Sequence, residues 1–313
     1  MKNVLFIGGA GFLGSNIISH LACYKEYNIH VMEPNFAHLG RLDGLPVIIH
    51  RANIDNLERL KTIILDNKIE IIVHLVSTMI PSSDFLAYQA EFKSVIFPTI
   101  SLMEFCSEMN IKFIYFSSGG TIYGNGNYET NNSIFSEKDL AEPISYYGWS
   151  KQMMENGILF MHRTKGLQYV ILRPSNPYGP GQNPYSVQGL IAVALNKAIR
   201  NEPITIFGDG TAIRDYIYID DLGMVVSILI TKENIVNQIL NIGSGIGVSV
   251  NSIIEKIKTT IHNDVEVKYV QQRRSDVSSV VLDISELKKN IDFTPISIDE
   301  GIQLYYNYLK NES

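Results

Sequence analysis

Tyr147 and Lys151 lie four residues apart in Tyr146-Tyr147-Gly148-Trp149-Ser150-Lys151, so on a helix both side chains share one face. A phenol ionises near pH 10 and is a poor base at neutral pH. A nearby ammonium, joined by a second positive charge, favours the phenolate and lowers that value. The pair could therefore move a proton to and from an alcohol. Tyr-x-x-x-Lys alone is a common accident of helices, and its meaning depends on what else the chain carries.

Far upstream stands Gly8-Gly9-Ala10-Gly11-Phe12-Leu13-Gly14, between an apolar strand-like run and a helix-like one. Glycines there permit a tight turn and a close approach of the backbone to a pyrophosphate, while the helix N-terminus offers unpaired N–H groups to the anion. Glu33 follows about 20 residues past the cluster, at the end of the second apolar run. A carboxylate there accepts from both adenosine ribose hydroxyls and repels a 2′-phosphate, which favours NAD over NADP. Bound NAD also supplies the second positive charge beside Tyr147. The candidate cofactor contacts are Gly8, Gly11, Phe12, Leu13, Gly14, Glu33, Asn53, Ile54, Leu75 and Lys151. In Ala52-Asn53-Ile54-Asp55, Asn53 serves equally as an adenine contact or a helix cap, and Asp55 reads as the cap. His74 reads as a satisfied core histidine.

These residues need a frame. Val4–Ile7, Ile29–Met32, Val47–His50, Ile71–Leu75, Phe113–Phe116 and Tyr169–Leu172 read as strands, several of them apolar at consecutive positions. That pattern suits parallel strands covered on both faces. Asn16–Tyr24, Leu57–Asn67, Ser94–Met109 and Tyr147–Thr164 read as the helices between them. The fold class is α/β, a Rossmann-type doubly wound parallel sheet with a smaller C-terminal substrate-binding lobe. After Arg173 a crowd of prolines and glycines marks a change of path. The dinucleotide-binding domain is expected over residues 1–175 with a return segment at 212–243, and the lobe over 176–211 and 244–313.

Composition agrees. The chain has 313 residues, 45% hydrophobic and 19% charged, enough for such a domain and lobe. A net charge of −6 argues against nucleic acid or an anionic membrane as a bulk partner. Cys23 and Cys106 read as buried free thiols of a reducing cytosol. Glycines interrupt the apolar N-terminus, and no long apolar run follows, so a soluble cytoplasmic protein is expected. The seven histidines show no metal-ligand spacing, so no metal site is expected.

Taken together, the sequence resembles the extended short-chain dehydrogenase/reductase family, in particular its nucleotide-sugar epimerases and dehydratases. The resemblance spans essentially the whole chain. It rests on the glycine motif, Ser117-Ser118-Gly119-Gly120-Thr121-Ile122-Tyr123-Gly124, the Tyr-Lys pair, and Arg173-Pro174-Ser175-Asn176-Pro177-Tyr178-Gly179-Pro180-Gly181. It continues through Gly208-Asp209-Gly210, Arg214-Asp215-Tyr216-Ile217-Tyr218-Ile219-Asp220-Asp221 and Arg273-Arg274-Ser275-Asp276. The resemblance implies Tyr147 as acid/base and Lys151 as holder of the nicotinamide ribose. It implies Asn176 against the diphosphate or its sugar, and Arg214 and Arg273 as phosphate clamps, in keeping with guanidinium chemistry. It also implies a homodimer, built partly on the Tyr-Lys helix, whose Trp149, Met153, Ile158, Leu159, Phe160 and Met161 are rich in apolar surface.

This chain departs from many relatives at Gly119, where they carry the catalytic Ser or Thr. The hydroxyl would then come from Ser118 or Thr121, or a water would stand in. The motif also lacks the acidic residue common in dehydratases, a point against dehydration. Ser94–Thr99 lacks the usual Asn-rich turn. The implied reaction is 4-epimerisation of a UDP-sugar through a transient 4-keto sugar. Val280 aligns with a position whose bulk limits the 2-substituent, and leaves room for UDP-GlcNAc/UDP-GalNAc beside UDP-glucose/UDP-galactose. A keto-sugar reductase and a non-catalytic NAD-binding regulator are the alternatives.

Overall fold

The computed structural model describes residues 1–125, 134–272 and 277–312, and the chain divides into two compact units. The first takes Met1–Ser118, Tyr146–Arg173 and Gly223–Leu240; the second takes Gly119–Ser145, Pro174–Leu222 and Asn241–Ser313.

The first unit is built on strands β1 (Lys2–Ile7), β2 (Tyr27–Glu33), β3 (Val47–Arg51), β4 (Ile71–His74) and β5 (Lys112–Phe116). The sheet runs β3-β2-β1-β4-β5, then Tyr169–Pro174, then Gln238–Ile242. Every pair from β3 to Tyr169–Pro174 is parallel. This is the doubly wound order, which reverses direction between β1 and β4 and leaves a crevice at their C-terminal ends. Consecutive apolar residues follow from that cover: Val4, Leu5, Phe6 and Ile7 are all essentially buried. Leu5, Ile7, Ile72, Phe113 and Ile171 pack with Leu60, Ile63, Leu102, Met103, Met154 and Ile158 from helices α2 (Leu57–Asp66), 97–108 and Tyr146–Lys165. On the other face, a Cβ at Gly9 would meet Phe6, Val31 and Ile18 of α1 (Phe12–Leu21), so that helix covers the opposite side. Each such fully buried aliphatic contributes about 1.5–3 kcal/mol.

Three local expectations are corrected. The α2 cap is Asn56, whose side chain accepts from Arg59 N at 3.1 Å, one position beyond Asp55. Cys106 is buried but Cys23 is exposed just past the end of α1, and both are free thiols. The segment around Ser94 is interrupted: α3 (Phe85–Glu91) passes through a π-helical turn, Phe92–Ile96, into α4 (Phe97–Glu108). Pro98 sits in the first turn of α4 and gives a reason, since its nitrogen carries no hydrogen to donate to a carbonyl of the preceding turn.

In the second unit, Ile213–Tyr218 runs parallel to Asn176–Tyr178 and to Ser279–Leu282, and antiparallel to Gly247–Ser249. Ile134–Phe135 pairs with Ser279–Leu282, and Ile204–Phe207 with Val267–Val270. Helices Leu190–Ile199, Val250–Ile261 and Ile298–Glu312 close its core through Leu195, Ile253, Ile257, Ile302 and Tyr305. Residues 119–145 and 212–222 fall in this unit, where the sequence places them with the dinucleotide domain. The reason is long-range pairing. Tyr123 stacks on Phe135 and donates to Asn241 Oδ1 at 2.7 Å, and Asn241 in turn donates to the Phe135 carbonyl at 2.8 Å.

Candidate functional site

The glycine turn is shaped as a phosphate cradle. Gly8 has φ +85, which side-chain-bearing residues rarely adopt, and a Cβ there would lie 2.9 Å from Val76 Cγ2. A Cβ on Gly14 would sit 2.5 Å from the Gly9 carbonyl oxygen, so only glycine lets α1 begin this close to β1. The α1 N-cap is Gly11, which has no side chain with which to cap the first turn, so its amides suit a bound anion. Phe12 and Leu13 are partly buried in that turn.

Glu33 ends β2 buried, with one carboxylate oxygen accepting from Ala10 N at 2.6 Å. Burial raises its carboxyl, and the Ala10 amide and the Arg51 charge oppose this. The carboxylate is thus fixed against the glycine turn, where it can meet an adenosine ribose. These residues fit NAD. Asn53 is exposed, and its carbonyl accepts from Asn56 N. Ile54 belongs to the apolar core, and Leu75 leaves β4 partly buried.

Tyr147 and Lys151 lie on the first turns of helix Tyr146–Lys165, with Lys151 Nζ 5.5 Å from the Tyr147 ring centre. The lysine is 5% exposed; it donates to the Phe116 carbonyl at 2.9 Å and lies 5.1 Å from the Tyr115 ring centre. Burial pushes its ammonium down to about 8, while Glu91 and Glu155 act in the opposite sense. Burial pushes the Tyr147 phenol up to about 12; a hydrogen bond with the Ser118 side chain lowers it and Glu91 raises it. The protein's own groups therefore leave the phenol protonated at neutral pH, and the positive charge of a bound nicotinamide is needed to shift it.

His74 ends β4 beside the pair. Its Nε2 lies 3.0 Å from Thr99 Oγ1, and its Nδ1 finds no partner among the described residues. Burial first, then the Lys151 charge, pushes it down to about 3, so it stays neutral. The core reading of this histidine is met at one ring nitrogen only.

The structure brings Ser118, Tyr147 and Lys151 together within the first unit. Thr121 lies in the short helix Gly119–Ile122 of the second unit. Asn176 donates to the Asp215 carbonyl at 2.8 Å, and a Cβ on Gly120 would meet its side chain at 3.4 Å. The Arg214 guanidinium donates to the Val277 carbonyl and, at 3.3 Å, to the Ser278 carbonyl. Val280 is buried in its strand, in register with Arg214. Arg273 lies outside the described residues. Asp215, inside the same motif as Arg214, is structural: its carboxylate accepts from Ser244 N and Oγ and from Gly245 N.

Sequence reasoning missed Glu91. It is 3% exposed and accepts from Ser77 Oγ at 2.9 Å, Thr78 N at 2.8 Å and Thr78 Oγ1 at 2.5 Å. A signal existed: Tyr88, Glu91 and Val95 fall at helical spacing, and a carboxylate on such a buried stripe is unusual.

Among the described residues no helix is long and apolar enough to cross a membrane, and no group of three or more His, Cys, Asp or Glu is placed to hold a metal ion.

Residues 4–243 match the NAD dependent epimerase/dehydratase family. The chain is 31% identical, over 99% of both chains, to a Methanocaldococcus jannaschii protein provisionally named UDP-glucose 4-epimerase. It is 29% identical to the Escherichia coli dTDP-4-dehydro-6-deoxyglucose reductase, over 96% of this chain and 95% of that one. Among solved structures, the UDP-glucose 4-epimerase of Thermotoga maritima with UDP-glucose is similar with a TM-score of 0.91 and 30% identity, over 99% of each chain. The chain therefore belongs to the NAD dependent epimerase/dehydratase family, a group of extended short-chain dehydrogenase/reductase enzymes that work on nucleotide sugars with NAD.

Proposed function

We propose that this enzyme epimerises a UDP-sugar at C4, taking UDP-glucose/UDP-galactose or UDP-GlcNAc/UDP-GalNAc. The observation that carries this reading is the end-to-end similarity to the Thermotoga maritima UDP-glucose 4-epimerase with UDP-glucose. Bound NAD supplies the two-electron acceptor and donor. Tyr147 takes the proton of the C4 hydroxyl as C4 becomes a ketone, and returns it once the sugar has presented its opposite face. Ser118 shares that proton through its hydrogen bond to Tyr147. Lys151 holds the nicotinamide ribose and keeps a positive charge near the phenol. Asn176, Arg214 and Arg273 hold the diphosphate, so the sugar turns without leaving. Val280 borders the 2-substituent. In this reading the first unit carries the dinucleotide and the second the nucleotide sugar.

The enzyme acts in the cytoplasm as a homodimer. Trp149 and Phe160 on helix Tyr146–Lys165, and Phe97 on α4, are 43%, 52% and 62% exposed, more apolar surface than solvent-facing helices need. Light scattering at micromolar concentration checks the dimer.

A second reading, a 4-keto-sugar reductase, draws on the similarity to the Escherichia coli reductase. Purified protein incubated with UDP-glucose and UDP-GlcNAc separately, without added cofactor and with C4 inversion read by NMR, decides. Inversion supports the epimerase and identifies the sugar. No inversion even with NAD, together with oxidation of external NADH by a keto-sugar, replaces it by the reductase.

A further inference from the structure

We propose that Glu91 is a positioning residue of the Tyr147–Lys151 site, clamping the two residues beyond β4 and setting a fixed negative charge beside the pair. The proposal rests on the reading of Tyr147 as the acid/base.

The geometry is that of a clamp. Glu91 closes α3 at the edge of the π-helical turn, and both its oxygens are used on the segment leaving β4: one on Ser77 Oγ, the other on Thr78 N and Thr78 Oγ1. That segment lies directly after His74, Leu75 and Val76, and Val76 is the residue against which the Gly8 turn packs. The carboxylate thus fixes the loop that follows Val76, the residue bordering the Gly8 turn. π-helical turns recur at functional sites for the same reason, since the extra residue re-aims one side chain.

The charge has a role the clamp alone does not explain. The donors holding Glu91 are a backbone amide and two hydroxyls, all neutral, so nothing in the clamp itself cancels the charge of the carboxylate. The groups facing the pair are His74 from β4, Tyr115 and the Phe116 carbonyl from β5, Ser118 just beyond it, Glu91, and Glu155 on the pair's own helix. His74 and Tyr115 are uncharged near neutral pH, the first pushed down and the second up by burial. The charge of Glu155 is matched by Arg173, to which it is joined at 2.6 Å. Glu91 raises both Lys151 and Tyr147. Its charge keeps Lys151 protonated against the pull of burial. It also holds the phenol as the acid until a cationic ring arrives, so that proton abstraction is tied to cofactor binding.

The test uses the full chain with NAD supplied, reading the Tyr147 titration by NMR of isotope-labelled tyrosine, with Tyr147→Phe to assign the signal. Glu91→Gln should titrate at lower pH, with a phenolate fraction about threefold higher at a fixed pH below the midpoint. The acid limb of kcat/KM should move the same way. Glu91→Asp, whose carboxylate is withdrawn by one methylene, should fall between the two and serves alone if the Gln variant does not fold. A Tyr147 titration unchanged in either folded variant overturns the proposal, even if kcat falls. Failure of the wild type to epimerise any UDP-sugar would overturn the functional reading instead, and would leave the titration, which needs no turnover, to judge Glu91.

Discussion

The Ser118 side chain and the Tyr147 phenol share a hydrogen bond, one residue before Gly119. The serine comes from the end of β5 and the tyrosine from the helix Tyr146–Lys165, so the contact exists only because those elements are neighbours in the fold.

If Ser118 shares the proton with Tyr147, Ser118→Ala should lower kcat about 100-fold with little change in KM. Thr121→Ala should lower it less than about tenfold. Steady-state kinetics on both variants with the same sugar checks this, and the reverse ranking would move the role to Thr121.

Lys151 ties the stability of the fold to pH. Its buried ammonium titrates at about 8 against 10.5 when exposed, so the folded state binds fewer protons between those values and stability should rise with pH across that window. Below pH 8 the burden is constant, on the order of 3 kcal/mol. Lys112, pushed down to about 8 by burial, contributes a parallel slope. Lys151→Met should therefore shrink the slope and melt no lower than wild type at pH 7, despite about 1–2 kcal/mol lost with the bond to the Phe116 carbonyl. Turnover should fall at least about 100-fold. Thermal melts from pH 7 to 10 and a single activity assay suffice.

Arg173 and Glu155 form a bidentate buried pair, at 3.0 and 2.6 Å, with both side chains at most 5% exposed. Arg173→Met alone strands a buried carboxylate and should cost about 3–5 kcal/mol in urea unfolding. The double variant Arg173→Met with Glu155→Leu should recover most of that loss. Equal destabilisation by single and double variants would show the pair to be incidental.

His30 on β2 and His50 on β3 stack, with ring nitrogens 2.9 Å apart. Burial is the first cause lowering both, followed by each one's cationic neighbour, His50 for His30 and Arg59 for His50. Because the folded values lie below the ordinary 6.5, their stability contribution is complete above that pH. It is lost as pH falls and the unfolded chain takes up protons first. The melting temperature should drop between pH 7.5 and 5.5, and His30→Leu should flatten the drop. An equal drop in that variant would assign the effect to other groups.

The sequence by itself determined the fold class, the strands from β1 to Tyr169–Pro174, the glycine cradle with Glu33, and the Tyr147–Lys151 pair, because each depends on local spacing. A parallel strand covered on both faces is a continuous apolar run, a phosphate turn needs glycine at set positions, and four residues are one helical turn. Only the tertiary structure decided the rest. It joined Ser118 to Tyr147, raised the phenol by burial, and set Glu91 on the loop beyond β4. It also moved residues 119–145 into the second unit through Tyr123, Phe135 and Asn241. Those outcomes depend on which distant segments meet and on how much water is excluded where they do, and neither is written in the spacing of residues along a chain.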